Sequence, residues 1–295
     1  MSTTNLRAFH LVATAESFTR AARLANVSQP TLSAQVGALE ETHGVTLFDR
    51  RGRGVILTPL GHSLFALTTR LFAAEDECMA LLRGARTLTR GHLRLAADSA
   101  THVMPLLAEL RQRNPGLTFS LSIGNSSDVV QQVVDYAAEV GITARQTSDP
   151  RLHSVLLRRD TLILFMPRDH AWRDRSRVDI RDLDGADIIV RERGSITREV
   201  FETRLAEAGV RPAALIEVQT REAVREAVMA GFGLGVIFGG EFTPEPALLP
   251  LAVEGADLSV AEYVICLEDR RRLPIVRGFL DILRERERPV APSSP

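Results

Sequence analysis

Apolar positions recur at helical spacing from the beginning of the chain. In "NLRAFHLVATAES" Leu6, Phe9, Val12 and Ala13 fall three and four residues apart, which predicts a first helix with Asn5 as its N-cap. After Ser17, "FTRAARLANV" sets Phe18, Ala21, Ala22 and Leu24 to one side of a short second helix, small at its centre so that a neighbour can approach closely, with "ANV" as its turn. Ser28 stands where the cap of a third helix belongs, and Pro30 sits in its first turn, where a missing N–H costs nothing. Leu32, Val36 and Leu39 recur at i, i+4 and i+7 and face the core. The opposite stripe, Gln29, Ser33 and Gly37 flanked by Pro30, Thr31 and Ala34, is short, polar and uncharged; charge returns only at Glu40 and Glu41. "GVTLFDRRGRGVILT" then predicts two short strands around a Gly-containing turn, with Val45, Leu47, Val55 and Leu57 pointing inward and Arg50, Arg51 and Arg53 at the tip.

From Pro59 the period changes. Leu60, Leu64, Leu67, Leu71, Ala74, Cys78, Leu81, Ala85 and Leu88 alternate four and three apart, a heptad seam that favours pairing with a second chain over packing on the chain's own domain. "TRGHLRL" reads as the hinge into a new domain. Beyond residue 92 strands and helices alternate: "HLRLAA", "LTFSLSIG" and "VGITA" as strands around the helices "VMPLLAELRQRNPG" and "SSDVVQQVVDYAA". A second similar unit begins at "DTLILFMP" and runs through "DIIVRE", "SITREVFETRLAEAG", "ALIEV", "TREAVREAVMAGFG" and "GVIF". "AEYVICL" and "LPIVRGFLDILRERE" return the chain to the first unit. The pattern predicts a mainly parallel α/β sheet folded as two lobes around a cleft, an architecture suited to ligand-gated hinge motion.

Composition narrows the function classes. The 295 residues suit two or three domains, and 45% hydrophobic with 25% charged residues describes an ordinary globular chain, with only the tail "RPVAPSSP" reading as disordered. No apolar run reaches the length of a spanning helix and no secretory segment is seen at the N-terminus, so no membrane partner and a cytoplasmic location are expected. Cys78 and Cys266 form neither a metal-ligand spacing nor a disulfide framework, and both are expected to be buried thiols. A formal net charge of −1 excludes a uniformly basic nucleic-acid binder but leaves a local basic patch open. Every cation outside histidine is Arg, read first as compositional bias.

Short polar side chains are what a helix needs to lie against base edges in a major groove, which makes Gln29, Pro30, Thr31 and Ser33 the expected base-reading set. Arg50, Arg51 and Arg53 on the wing would then reach phosphates or the adjacent minor groove. In the α/β region a ligand belongs beyond the carboxyl ends of strands, against helix starts. The candidates there are Ser99, Ala100, Thr101 and His102, then Asn125 and Ser126, then Ala144 and Arg145. From the second unit come Ser195, Thr197 and Arg198, with Thr220 and Arg221. Hydroxyls and arginines converging on helix starts suggest a small anionic effector, a carboxylate or phosphonate. Against this stands the plainer reading of capping hydroxyls and surface arginines. No catalytic residue, metal ligand or cofactor is assigned: "GFGLG" follows a helix and precedes a strand, the reverse of a dinucleotide loop, and the histidines are scattered. The competing readings are an enzyme, or a small-molecule-binding protein whose N-terminal domain serves only to oligomerise.

The run "AARLANVSQPTLSAQVGALEETHGVTLFDRRGRGVILTPLG", within residues 5 to 61, resembles the winged helix-turn-helix of LysR-type transcriptional regulators nearly throughout. One departure is Ala34, where relatives often carry a long polar or basic side chain, which shifts discrimination toward DNA shape. The resemblance continues more weakly over the α/β region and implies an effector domain similar to periplasmic solute-binding proteins. It implies a winged helix-turn-helix over 1–58 and a dimerisation helix and hinge over 59–91. The effector domain would span 92–288, one lobe about 92–160 with 267–288 and the other about 161–266, with a tail over 289–295. The implied partners are double-stranded promoter DNA, a second copy in a dimer or tetramer, and RNA polymerase. "GNSSDVVQQVVDY", "DPRLHSV", "RERGSITR" and "REAVREAVMAGFGLGV" look like the branch associated with aminoethylphosphonate catabolism, which implies a phosphonate such as 2-aminoethylphosphonate as effector.

Overall fold

The computed structural model describes residues 3–49, 55–82 and 91–287. They divide into two compact units, Met1–Arg86 with Asp135–Ala137, and the remainder.

In the first unit α1 (Thr3–Ala15), α2 (Phe18–Ala25) and α3 (Gln29–His43) are followed by a two-stranded wing, β1 (Phe48–Asp49) and β2 (Ile56–Leu57), and by α4 (Pro59–Leu82). The boundaries follow from local chemistry. Ser17 accepts from the Arg20 N–H to cap α2, and Asn26 closes that helix in the left-handed region at φ +54°. The Ser28 hydroxyl accepts from the Thr31 N–H at 3.2 Å and opens α3, which Gly44 ends at φ +62°. Phe9, Val12, Ala21, Leu32, Val36, Leu47 and Phe48 form the core of the unit. Two expectations need correction. Asn5 does not cap α1, because the helix already includes Thr3. Leu24 is 72% exposed, because α2 turns its Ala21 and Ala22 inward and Leu24 lies around the helix from them.

The wing pairs antiparallel, Phe48 opposite Leu57 and Asp49 opposite Ile56. It is clamped to α3 by Glu40, whose Oε1 accepts the Leu47 N–H at 2.7 Å and the Phe48 N–H at 3.3 Å. Thr58 ties the wing to α4, donating its hydroxyl to the Thr46 carbonyl and accepting the Gly61 N–H. A Cβ at Gly61 would collide with the Leu47 carbonyl oxygen, so the close approach there requires glycine. Along α4, Phe72 packs into the core beneath the Arg7 guanidinium, and Thr68 meets His10 at 3.1 Å. Leu60, Leu67, Leu71, Ala74 and Cys78 are exposed on this single chain, so the burial expected of Cys78 would have to come from a second copy along the seam. Leu64 departs from the predicted seam and packs on the unit's own core. Ala85 and Leu88 lie outside the described residues.

The second unit holds two lobes. The first contributes β3 (Gly91–Ala97), α5 (Ala100–Arg113), β4 (Leu117–Ile123), α6 (Ser126–Val134) and β5 (Val140–Thr143). A sixteen-residue strand, β6 (Leu152–Pro167), leads into the second lobe: β7 (Arg177–Asp179), β8 (Asp187–Arg191), α7 (Ile196–Glu207), β9 (Ala214–Val218), α8 (Arg221–Met229), β10 (Leu234–Phe238) and β11 (Leu248–Glu254). The chain returns by β12 (Ser259–Leu267) and ends in α9 (Pro274–Glu287). The strand order is β4-β3-β5-β12-β6-β10-β8-β9, with β11 on β6 and β7 on β11. Pairing is parallel within β4-β3-β5 and within β10-β8-β9, and antiparallel where β12 and β6 join them. The sheet is therefore parallel in each lobe and antiparallel at its centre. β12 pairs with β6 from Ser259 opposite Thr161 to Leu267 opposite Leu152. It crosses from one lobe to the other: Val260 packs in the core with Leu162 and Leu164, whereas Val264 and Cys266 pack in the core with Leu93 and Leu95, where residues 263–265 also pair with β5. One core gathers Leu93, Leu95, Leu106, Ile142, Val264, Cys266 and Phe279; the other gathers Leu162, Leu164, Ile188, Val190, Phe201 and Leu234.

Candidate nucleic-acid interface and interlobe cleft

The outer face of α3 is as the spacing predicts. Gln29, Pro30 and Thr31 are exposed, Ser33 is half-buried, and Leu32, Val36 and Leu39 on the other side are buried. The Thr31 hydroxyl lies 2.7 Å from that of Ser28, so it is held at the helix start rather than projecting freely. With Glu40 turned onto the wing, the exposed part of the first two turns carries hydrogen-bonding groups and no charge. Such a face can be desolvated against a groove wherever its groups meet hydrogen-bond partners on the base edges, without the larger cost of burying a charge. Arg50, Arg51 and Arg53 lie outside the described residues.

In the second unit the starts of α5, α6 and α8 and the ends of β4, β8 and β9 surround a cavity of about 580 Å³ between the lobes. It brings together the predicted Ser99, Ala100, Thr101, Asn125, Thr220 and Arg221. The other candidates are elsewhere. Ser126 is buried and donates to the Asp98 carboxylate at 2.7 Å, and the Ala144 N–H donates to the same oxygen at 2.9 Å. His102 faces the crossing strands, its Nδ1 3.0 Å from Glu262 and its Nε2 against the Arg158 guanidinium. Arg145 pairs with Glu199. Arg198 donates to Glu202 at 2.6 Å and to Glu217, and these carboxylates raise its pKa, Glu217 foremost. Ser195 and Thr197 are buried at the start of α7, Thr197 beside a small hollow it shares with Arg191 and Glu241.

Sequence reasoning missed Ile123, Gly124, Asp128, Arg191, Glu192, Gln219 and Glu222, all of which line the cavity. The rule that ligands meet the carboxyl ends of strands reaches most of them once the last residue of each strand is counted, and Asp128 and Glu222 stand inside first helical turns. The search for hydroxyls and arginines passed over the carboxylates.

The electrostatics of the cavity are mixed. Arg191 donates through Nε and Nη2 to both Glu192 oxygens, at 2.7 and 2.8 Å. Burial works to raise the Glu192 pKa, but the Arg191 guanidinium, the residue's own N–H and the Asn125 side chain together outweigh it and hold the carboxyl below its usual range. Arg221 donates Nε to Glu241 at 2.7 Å and Nη1 to the Asp98 carbonyl, bridging from the second lobe to the first. A second bridge runs from the Ser127 N–H to the Gly194 carbonyl at 3.3 Å. Gly194 sits at φ +92°, and a Cβ there would come 2.9 Å from Asn125 Oδ1. Asp128 and Asn125 cap α6 reciprocally, and Thr220 caps α8 through the Ala223 N–H. Glu222 is held below its usual range by its own N–H and then by the Thr220 hydroxyl. Asp98, behind Ser99, is pushed up by burial, and its Oδ1 has no hydrogen-bond partner among the described residues.

Comparison with known proteins identifies both units. The family described as "Bacterial regulatory helix-turn-helix protein, lysR family" matches residues 3–62, and "LysR substrate binding domain" matches 86–288. The HTH-type transcriptional regulator CbbR of Xanthobacter flavus is 31% identical over 289 residues, 96% of this chain and 86% of that protein. The HTH-type transcriptional activator CmpR of Synechocystis sp. is 27% identical over 280 residues, 93% of this chain and 92% of that protein. Full-length CbnR complexed with its target DNA superposes with a TM-score of 0.70 at 23% identity, covering 97% of this chain and 99% of that one. The Synechocystis CcmR regulatory domain in complex with 2-PG superposes with a TM-score of 0.61 at 25% identity, covering 66% of this chain and 97% of that one.

Proposed function

The chain belongs to the LysR family of DNA-binding transcriptional regulators with a small-molecule effector domain, and from that premise we propose that it is a cytoplasmic dimer, able to assemble to a tetramer, that binds promoter DNA under the control of a small anionic effector. Its curated relatives are regulators and activators, and it is a regulator rather than an enzyme. α3 enters the major groove, where Gln29 and Ser33 hydrogen-bond base edges and Pro30 and Thr31 shape the contact, while Arg50, Arg51 and Arg53 hold phosphates. The exposed leucines of α4 support pairing with a second copy, since two heads then meet two half-sites.

The observation that carries the effector reading is the cavity between the lobes, with Ser99 buried at its wall and its hydroxyl free of any capping bond. Its position at the start of α5, a helix with no acid in its first turn, suits an oxyanion. Solution of the CcmR regulatory domain with 2-PG supports a small ligand in this type of domain. A phosphonate such as 2-aminoethylphosphonate is the first candidate. Binding biases the lobes toward one arrangement and so shifts the balance between two states of the dimer that hold the DNA-binding heads differently. Activation of a divergent promoter through contact with RNA polymerase is the expected output.

Thermal unfolding with a panel of small phosphonates and carboxylates tests the effector. A true effector stabilises by roughly 2.7 kcal/mol at a hundredfold excess over its Kd. A panel in which no anion raises Tm would refute the anionic reading. For DNA, Arg50→Ala and Arg53→Ala should weaken binding to all sequences alike and each reduce the salt slope by about 1. Changes in sequence preference at an unaltered slope would reverse these roles.

A further inference from the structure

The turn after β8, in the second lobe, lies against the start of α6 in the first. The Ser195 N–H donates to the Glu192 carbonyl at 3.2 Å and closes a four-residue turn whose third position, Gly194, has φ +92°. A turn of that kind takes glycine there on its own account. Contact with α6 makes a second demand on the same residue, because a Cβ at Gly194 would come 2.9 Å from Asn125 Oδ1 and 3.2 Å from its Cγ. Ser127 stands in the first turn of α6, where N–H groups have no acceptor within the helix. It donates instead to the Gly194 carbonyl at 3.3 Å, so an oxygen of the second lobe meets the positive end of a helix in the first. The Asn125 side-chain amide donates to Glu192 while its Oδ1 accepts the Asp128 N–H at 3.0 Å. Two further ties join the lobes: Arg221 to the Asp98 carbonyl, and Glu199 in the first turn of α7 to Arg145 beyond β5.

We propose that the turn 192–195 is an interlobe clasp: fastened on Asn125 and Ser127 it holds the cleft in its narrow arrangement, and the cleft widens only when the clasp lets go. Gly194 is then glycine for the fit as well as for the turn, since a side chain there cannot share the space with Asn125. Asn125 and Glu192 both line the cavity. A group that enters and bonds to either one acts on the clasp directly, and so biases the lobes between two arrangements. The clasp belongs to the chain itself and stands whatever class of ligand the cleft takes.

Hydrogen exchange of the full-length protein, resolved to single residues, reads the clasp at the Ser127 amide, whose acceptor is on the other lobe. In the wild type this amide should exchange about tenfold or more slowly than an unprotected one. Gly194→Ala should remove that protection, while the Val129 amide, which bonds the Asn125 carbonyl within α6, keeps its own and shows the helix intact. Asn125→Ser placed in the same chain should restore protection severalfold, because serine still caps α6 but lacks the amide atoms that the new Cβ meets. Glu192→Ala, a second variant that alters no residue of α6 and leaves Gly194 in place, should lower the Ser127 protection severalfold by taking away the Asn125 partner. An unprotected Ser127 in the wild type would overturn the clasp, as would full protection in Gly194→Ala or in Glu192→Ala. Protection that Asn125→Ser fails to restore would trace the loss to the strained turn and overturn the fit between Gly194 and Asn125.

Discussion

Asp98 is the residue on which the cleft wall depends, since its carboxylate gathers Ser126 and Ala144 and its carbonyl takes Arg221. Burial raises its pKa above the ordinary 3.8. The unfolded chain therefore binds fewer protons over the window from that value up to the raised one, so this group's contribution to stability falls as pH rises through the window and levels off above it. Asp98→Asn keeps an acceptor for both partners and removes the charge. Urea unfolding at about pH 5 and about pH 8 should show the variant gaining on the wild type at the higher pH; a loss of more than about 2 kcal/mol there would mean that the charge itself is needed. Cys266 gives a second expectation, because burial pushes its thiol up to about 12. A thiol reagent at neutral pH should leave it unmodified until the protein is unfolded, and reaction in the folded protein would contradict its place in the core. The hydroxyls and the cleft position of Ser99, Thr101 and Thr220 were legible from their places at helix starts. The fates of Arg145, Arg198 and Arg221 were not, because the carboxylates that hold them, Glu199, Glu217 and Glu241, arrive from remote positions in the chain.

At the scale of elements, α2 and α3 were readable because each carries its own start and stop: Ser17 and Asn26 bound the one, Ser28 and Gly44 the other. β6 was half missed, since its first part, residues 152–159, lies in a strand pattern of mixed burial and only "DTLILFMP" shows the continuous apolar run of a covered strand. β7 and β11 also escaped, being short or broken by Pro250. Along the seam of α4, Leu67 and Leu71 are 58% and 45% exposed and so free to meet a second copy, whereas Leu64 packs on the unit's own core. If those exposed leucines meet a second copy, Leu67→Glu/Leu71→Glu should convert the dimer to monomers in sedimentation equilibrium while the circular dichroism of the chain is kept. Half-site binding would persist, and affinity for a two-half-site operator would fall by the loss of linkage, about a hundredfold or more. An intact dimer in that variant would place the interface elsewhere.

At the scale of the molecule, the alternation of strand and helix conveyed two lobes, and the long motif through α3 and the wing conveyed the DNA-binding unit. The charge balance of the cleft was hidden, because it depends on which carboxylates meet across a sheet folded from both ends of the chain. The two lobes share β6 and β12, and Arg221 and the Ser127–Gly194 contact span the gap between them. A ligand there acts on a structure with few ties to shift, which is what differential affinity between two arrangements requires. The account as a whole stands on α3: its uncharged outer face is shaped for a groove. The direct measurement is the ratio of affinities of the full-length protein for its promoter and for a scrambled duplex, at fixed salt, compared between the wild type and Gln29→Ala/Ser33→Ala. The ratio should fall by about tenfold or more, at roughly 1 to 3 kcal/mol for a good base contact, with the salt slope unchanged. A variant that keeps the wild-type ratio would show that this face does not read DNA.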